Sequence, residues 1–291
     1  MKQRILGPSG LSVGEIGLGG MPMSVRRDRP SEADSIKTIH RATELGMMLW
    51  DTADAYCIDD TETGHNERLL SKAKASLPSE LREKVIIATK GGHIRPESRW
   101  DQDASPKHLR EALDASLKAL GTDVIDVWQF HRPDPKVPFA DSVAVFAEAL
   151  EAGKVRFVGL SNVSAAQIEE ALSIVPIVSV QNQYSLGHRA PERDGSLEKC
   201  RELGIAFLPW SPLGGMGGAK GIGTNETLSS IASELGISPQ RVALAWHLSK
   251  YEHLIPIPGA SRVESVEDSA HGGDVLLSSE QVKSLDDAYT V

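Results

Sequence analysis

Four side chains in the first half of the sequence have the types needed for proton transfer: Asp51, Tyr56, Lys90 and His131. A tyrosine is a weak acid, with a reference pKa of about 10. A lysine ammonium beside the phenol favours the phenolate, and a buried aspartate keeps that lysine charged. A nearby histidine can orient a substrate carbonyl and share in the proton transfer. This set contains a proton donor but no obvious nucleophile, which favours carbonyl reduction by hydride over hydrolysis or acyl transfer.

Each of these residues also has a purely structural explanation. Asp51 can cap a loop, and Tyr56 can be an ordinary loop residue. Lys90 can pair with any neighbouring carboxylate, and His131 is one of nine histidines. The functional interpretation therefore requires all four to lie together, which depends on the elements that carry them.

Eight short runs rich in Val, Ile and Leu alternate along the chain with longer segments of helical spacing. The runs are continuously apolar, as expected for parallel strands covered on both faces. The predicted strands are 16–20, 49–53, 85–90, 125–131, 155–162, 178–184, 206–210 and 254–258. The predicted helices are 31–46, 66–77, 106–120, 139–152, 164–174, 194–203, 224–248 with a break near Ser238-Pro239, 262–270 and 278–289.

The clearest helix is 106–120. Ser105 can cap its first turn, and Pro106 suits the first helical position. Leucines then recur on one face, and Gly121 ends the helix.

The alternation predicts a (β/α)8 TIM barrel, since the strand–helix units average about 30–35 residues, the rhythm of that fold. A doubly wound sheet is the alternative, because it shows the same alternation with fewer strands. No Pro/Gly/Ser linker divides the chain, so residues 1–291 are expected to form one domain. The segment 4–13, with Gly-Pro-Ser-Gly at its centre, predicts an N-terminal β-hairpin that closes the bottom of the barrel.

Composition favours a small-molecule partner. The formal charge of the 291 residues is −9, without long runs of one sign, which argues against a nucleic-acid or membrane surface. The two cysteines, Cys57 and Cys200, have no metal-ligand spacing, so no metal site is expected. The N-terminus lacks the apolar core of a signal peptide, which makes a reducing cytoplasm the expected location. The sequence leaves the oligomeric state open.

Polar motifs gather at one end of the predicted strands: DTADAY (51–56), TKGG (89–92), FHRPD (130–134), GLSN (159–162), VQNQYS (180–185), WSPLGG (210–215) and IPGASR (257–262). In this order and with these separations they resemble the signatures of the aldo-keto reductase family, over essentially the whole chain. These motifs are similar to those of the bacterial subgroup that includes pyridoxal reductases and relatives of the potassium-channel β subunit.

The resemblance implies roles for the four residues. Tyr56 would be the general acid, Lys90 and Asp51 would tune it, and His131 would position the substrate. Trp100, in the loop after Lys90, would form a wall of the substrate pocket together with Tyr56 and His131.

The resemblance also implies a cofactor site. Ser161, Asn162 and Gln181 would hold the nicotinamide carboxamide, and Trp210 would stack on the ring. Ser211 to Gly215 would line the pyrophosphate, with the stretch 214–221 folding over it. The full set of implied cofactor contacts is Gly20, Met21, Asp51, Ser161, Asn162, Gln181, Trp210, Ser211, Pro212, Leu213, Gly215, Ser261, Arg262, Ser265, Asp268 and Ser269.

The choice of cofactor depends on the last motif. Ser261 and Arg262 precede a predicted helix, where a guanidinium and a helix N-terminus together suit a phosphate. The resemblance places the 2′-phosphate of NADPH there. The family commonly has a Glu-Asn pair at the adenine, where this chain has Asp268 and Ser269, and Ser265 replaces a longer polar residue. NADPH is therefore favoured, with NADH as an alternative.

Cys57 stands where glycine is usual in the family. It is expected to be a small wall residue, although a thiol beside the proton donor could make activity sensitive to oxidation.

Three functions follow from these observations. The leading one is an NADPH-dependent oxidoreductase that reduces an aldehyde or ketone. The second is a cofactor-sensing interaction subunit with slow or incidental reductase activity, which the complete set of four residues disfavours. The third is a phosphate-binding lyase or isomerase on the same barrel, with Lys90 as its reactive group.

Overall fold

A parallel sheet forms the centre of the computed structural model, which describes residues 1–215 and 217–289. Its strands follow the order β11-β10-β9-β8-β5-β4-β3. Two antiparallel hairpins, β1–β2 and β6–β7, lie outside it. The strands are β1 (Gln3–Ile5), β2 (Ser12–Gly14), β3 (Leu18–Gly19), β4 (Leu49–Asp51), β5 (Ile86–Gly91), β6 (His93–Ile94), β7 (Asp101–Gln102), β8 (Ile125–Phe130), β9 (Val155–Ser161), β10 (Ile177–Gln181) and β11 (Ala206–Phe207).

The segment 254–259 joins the two edges of this sheet. It bridges β11 at Phe207 and Leu254, and β3 at Gly19 and Gly259, in parallel at both edges. Two prolines interrupt its ladder because proline has no N–H to donate, so it forms bridges where the sequence predicted a continuous strand. The sheet thus closes into the predicted (β/α)8 barrel, which excludes the doubly wound alternative.

The helices pack around the barrel close to their predicted bounds. The long predicted segment 224–248 is broken as expected before Pro239, at a new N-cap on Ser238. The short helices α3, α7 and α9 were not predicted. The helices are α1 (Glu32–Glu44), α2 (His65–Ala75), α3 (Ser79–Arg82), α4 (Pro106–Leu120), α5 (Phe139–Glu151), α6 (Ala165–Leu172), α7 (Ala190–Arg193), α8 (Ser196–Leu203), α9 (Gly218–Gly221), α10 (Glu226–Leu235), α11 (Pro239–Leu248), α12 (Val263–Ala270) and α13 (Ser279–Ala288).

The predicted N-terminal hairpin, β1–β2, closes the bottom of the barrel. Its Leu6 and Val13 are fully buried and join the apolar cluster inside the barrel. The turn between the strands passes so close to the barrel that a Cβ on Gly7 would lie 2.7 Å from Ala206 N and closer still to Val178 O. The amino ends of the strands are therefore sealed, and the interior opens at the carboxyl ends.

The second hairpin, β6–β7, was not predicted. It follows β5 directly and pairs His93 with Gln102 and Ile94 with Asp101. Its strands have two residues each, too short to show an apolar alternation in the sequence. It forms one lip of the opening at the carboxyl ends of the barrel strands.

No helix within the described ranges is long and apolar enough to cross a membrane. Within the same ranges no cluster of three His, Cys, Asp or Glu side chains is placed to hold a metal ion.

Candidate active site

A cavity of about 950 Å³ opens at the carboxyl ends of the barrel strands, near the upper limit of the ~300–1,000 Å³ typical of ligand pockets. Most of the residues predicted to form the site line it. They are Met21, Asp51, Tyr56, Trp100, His131, Ser161, Asn162, Gln181, Trp210, Ser211, Pro212, Leu213, Gly215, Ser261, Arg262 and Ser265.

The ammonium group of Lys90 connects the predicted proton donor to its carboxylate partner. Nζ of Lys90 lies 2.8 Å from Oδ2 of Asp51 and 3.0 Å from Oη of Tyr56. It donates a third hydrogen bond to the carbonyl oxygen of Thr52, at 2.9 Å. Because Lys90 donates to the phenol oxygen, the phenol's own proton is directed away from the lysine. The four predicted residues can act on a ligand only through Tyr56, His131 and Asp51, since Lys90 is fully buried behind them.

Burial and charge act in opposite directions on Tyr56. Burial raises its pKa, and the opposing effect of the Lys90 ammonium is smaller, so the pKa lies above its usual value. For Lys90, burial lowers the pKa, but Asp51 and Tyr56 together outweigh burial and hold it above its usual value. The Lys90 ammonium lowers the pKa of the Tyr56 phenol, as the sequence predicted, but burial has the larger effect. At neutral pH Tyr56 is a neutral phenol and Lys90 is a cation.

His131 lies beside the phenol as a neutral ring. The centroids of the Tyr56 and His131 rings are 5.8 Å apart and nearly perpendicular. Burial lowers the pKa of His131 well below its usual value, and electrostatic interactions with His93, Lys90 and Arg132 lower it further. Its Nδ1 is buried without a hydrogen-bond partner among the described residues. His131 is thus suited to hydrogen bonding with a ligand oxygen and unsuited to carrying a positive charge.

Asn162 is held by the groups around it. Its φ is +58°, a left-handed conformation that asparagine adopts more readily than most residues. Its Nδ2 donates to the carbonyl oxygen of His131 at 2.9 Å. Its Oδ1 accepts from Arg132 at 3.0 Å and from Nε1 of Trp210 at 3.3 Å. These bonds tie the three strand ends that carry His131, Asn162 and Trp210 to one another.

Gln181 and Ser161 form the floor beside Asn162. Nε2 of Gln181 donates to Oδ1 of Asp51 at 2.7 Å, while none of the described residues donates to Oε1 of Gln181. The hydroxyl of Ser161 donates to the carbonyl oxygen of Gln181 at 2.7 Å. Oε1 of Gln181 therefore remains available to a carboxamide N–H, which fits the nicotinamide contact implied by the resemblance.

The loop predicted to line a pyrophosphate is rich in left-handed backbone. Ser211, Gly214 and Gly215 all have positive φ, at +53°, +89° and +83°. Such turns direct successive backbone N–H groups toward one point and favour anions. Within the predicted covering stretch 214–221, Met216 lies outside the described residues.

The far end of the cavity is bounded by Ser261, Arg262 and Ser265. Arg262 is the N-cap residue of α12, and its side chain makes no cap hydrogen bond. Nη2 of Arg262 lies 3.4 Å from Oγ of Ser265, and no described carboxylate forms an ion pair with it. A guanidinium and a helix N-terminus thus meet at this end, as the predicted phosphate site requires.

Asp268 and Ser269 are not among the described lining residues. Asp268 forms an ion pair with Arg241 at 2.8 Å and accepts from Ser238 at 2.7 Å. Ser269 is buried in α12. Their contact with an adenine therefore remains a prediction.

Two further predicted residues lie beneath the cavity surface. Gly20 donates its N–H to the carbonyl oxygen of Asp51 at 2.9 Å, and a Cβ on it would lie 2.5 Å from Oδ1 of Asn66. Cys57 is fully buried, and burial raises the pKa of its thiol to about 11. Cys57 is thus a buried, protonated thiol next to Tyr56 in the chain, and it is not among the described lining residues of the cavity.

Sequence reasoning missed several residues of the cavity wall, among them His93 and Arg132. The His93 ring packs on that of His131 at 4.1 Å and on that of Trp100 at 5.6 Å. Arg132 directly follows His131 and lines the same cavity. Their place in the sequence could have indicated a role, because both follow the carboxyl end of a barrel strand, and the active sites of this fold lie at those ends.

Comparison with known proteins agrees with this geometry. The model of the aldo/keto reductase family matches residues 15–290. An uncharacterized oxidoreductase of Schizosaccharomyces pombe is 37% identical over 262 residues, which cover 89% of this chain and 81% of the relative.

Solved structures show the same fold. A thermostable aldo-keto reductase in complex with the inhibitor epalrestat is 30% identical, with a TM-score of 0.84 over 99% of this chain and 100% of that one. An aldo/keto reductase from Klebsiella pneumoniae in complex with NADP and acetate is 23% identical, with a TM-score of 0.83 over 99% of this chain and 96% of that one. This chain belongs to the aldo/keto reductase family, and the predicted family and oxidoreductase class are confirmed.

Proposed function

We propose that this member of the aldo/keto reductase family reduces an aldehyde or ketone to an alcohol, uses NADPH, and takes the proton from Tyr56. The observation that carries the proposal is Nζ of Lys90, which contacts both Oδ2 of Asp51 and Oη of Tyr56 at the inner end of the cavity. The arrangement keeps a neutral phenol beside a fixed cation. A phenolate formed there would be stabilised by the neighbouring ammonium.

The proton path uses only groups of the chain. The Tyr56 proton is not engaged by Lys90, so it can hydrogen-bond to a carbonyl oxygen placed in the cavity. As negative charge develops on that oxygen, the proton moves to it from Oη, and the positive charge of Lys90 stabilises the oxygen left behind. The neutral His131 ring, 5.8 Å from the phenol ring, can hydrogen-bond the same oxygen and fix its direction.

The cavity fits a nicotinamide dinucleotide. Ser161, Asn162 and Gln181 would hold the carboxamide, Trp210 would stack on the ring, and Arg262 would hold the 2′-phosphate that distinguishes NADPH from NADH. The reduced nicotinamide supplies the hydride when it is bound. The backbone N–H groups of Ser211 and Gly215 would meet the pyrophosphate, since both residues have positive φ values, which favour an anion.

A screen of NADPH oxidation over aldehydes, ketones, quinones, sugars and pyridoxal tests this function, together with fluorescence titration of NADPH. We expect micromolar NADPH binding and turnover of at least one carbonyl class. Tight binding without any turnover would favour a cofactor-sensing subunit. Absence of NADPH binding would contradict the proposal and favour chemistry that needs no nicotinamide.

A further inference from the structure

Arg132 has no role in the proposed reaction, yet it lines the cavity together with Tyr56 and His131. It follows His131, and one of its amino groups, Nη2, donates to Oδ1 of Asn162 at 3.0 Å. A guanidinium has five N–H donors in a fixed planar arrangement. Among the described residues, no group accepts a hydrogen bond from the remaining nitrogen atoms of the Arg132 guanidinium.

The charge of Arg132 is also unbalanced. No carboxylate of the described residues forms an ion pair with it, and burial lowers its pKa with no compensating acid. The neighbouring cation, Lys90, is by contrast neutralised by Asp51 at 2.8 Å. A partly buried charge without a counterion is unfavourable unless a ligand supplies one. An anionic group in the cavity would stabilise this arrangement.

The other charged and titratable groups near Arg132 do not supply that anion. Burial lowers the pKa of His93 to about 4, so both His93 and His131 are neutral at pH 7. Asp101 lies on the lip, where its Oδ1 accepts from the backbone N–H of Gln102 at 2.8 Å. It is exposed to solvent, which screens its charge. Within the described part of the chain, the guanidinium of Arg132 therefore remains without an ion-pair partner.

Part of the wall of the same cavity is aromatic. The Trp100 ring lies edge-on to Tyr56, at 6.4 Å between centroids, and edge-on to His93. Trp100 is 46% exposed, and the Arg95 guanidinium lies over its ring at 4.0 Å from the centroid. An aromatic wall of this kind favours a planar substrate body.

We infer that Arg132 is a specificity residue that binds a carboxylate on the substrate, so that the preferred substrates are carbonyl compounds carrying a carboxylate, with a planar body favoured. This inference rests on the proposed carbonyl reduction and names its substrate class. A guanidinium binds a carboxylate through two parallel hydrogen bonds. Since Arg132 adjoins His131, a bound carboxylate would help to direct the carbonyl oxygen toward Tyr56.

Pairs of substrates that differ only in charge test the inference. The 2-, 3- and 4-carboxybenzaldehydes are each compared with the corresponding carbamoylbenzaldehyde, and kcat/KM is measured with NADPH. For the wild type, we expect the carboxylate of at least one pair to be preferred. In Arg132→Met that preference should fall about 10- to 100-fold, the effect of a lost charge-assisted hydrogen bond. Arg132→Lys should restore part of it.

Arg110→Met is the matched control, because Arg110 lies on α4, outside the cavity, and pairs with Glu148. It should leave the carboxylate preference unchanged. The dissociation constant of NADPH is measured for every variant. An equal loss for carboxylate and amide, with weakened NADPH binding, would show that Arg132 acts only through Asn162 and would overturn the inference. Preference for 4-formylphenyl phosphate over every carboxylate would overturn the choice of carboxylate.

A binding measurement separates this inference from the proposed reaction. Benzoate and benzamide, which cannot be reduced, are titrated calorimetrically into the wild type and Arg132→Met. Tighter binding of benzoate that is lost in Arg132→Met supports the anion site even if no aldehyde is reduced, in which case the proposed reaction alone fails. Equal binding of benzoate to both proteins overturns the inference.

Discussion

The chemistry of Tyr56 could be predicted only in part from the sequence. The types of Asp51, Tyr56 and Lys90 suggest a tuned phenol, and the structure brings their functional atoms within hydrogen-bond distance. The net direction of the pKa shift on Tyr56 could not be predicted, because it depends on how completely the phenol is buried. The unpaired guanidinium of Arg132 could not be predicted either, since a missing counterion is visible only in three dimensions.

Cys57 gives a prediction at the residue scale. Its thiol is fully buried, and burial raises its pKa to about 11. The reactive thiolate is therefore scarce at neutral pH. We expect peroxide to inactivate Cys57→Ser and the wild type at rates within about two-fold of each other. Clear protection by the substitution, measured from residual NADPH oxidation, would show instead that Cys57 is a redox-sensitive residue.

Helix ends were predictable where side-chain chemistry marks them. Ser105, Pro106 and Gly121 bound α4 as the sequence predicts, because a cap, a fixed φ and a left-handed glycine are local features. The segment 254–259 was less predictable. It has the apolar character of a strand, but its prolines leave only bridges to its neighbours. The hairpin β6–β7 depends on pairing across a loop, for which two-residue strands give no periodic signal.

Removing the cap of α4 tests this local account. Oγ of Ser105 accepts from the N–H of His108 at 3.3 Å. Ser105→Ala should lower the free energy of unfolding by about 1 kcal/mol, whereas Ser105→Asp, which keeps an acceptor, should stay close to the wild type. Urea denaturation measures both. An alanine variant as stable as the wild type would mean that the cap contributes nothing.

The whole molecule depends on a barrel sealed at the bottom and open at the top. Alternation of strands and helices predicts this architecture, because few folds use it over a chain of this length. The sequence also predicts that polar side chains gather at the carboxyl ends of the strands, and this located the cavity. The lip formed by β6–β7, with His93, could not be predicted, because its two-residue strands leave no periodic pattern in the sequence.

The tight seal at Gly7 gives a prediction at this scale. Gly7 has a φ of +52° and no room for a Cβ, whereas Gly10 has a φ of +70° and open space where a Cβ would lie. Both alanine variants suffer backbone strain, and Gly7→Ala adds a clash with Val178 and Ala206. We expect Gly7→Ala to cost at least ~2 kcal/mol more than Gly10→Ala. Equal losses in urea denaturation would show that the turn can move away from the barrel.

We propose that the protein is a carbonyl reductase whose proton comes from Tyr56. The most direct test is kcat/KM for the best aldehyde in Tyr56→Phe, with the dissociation constant of NADPH measured in parallel. Loss of the hydroxyl removes the proton donor but keeps the ring, so kcat/KM should fall by about 10²- to 10⁴-fold while NADPH binds as in the wild type. A variant that retains more than about a tenth of wild-type turnover would contradict the claim.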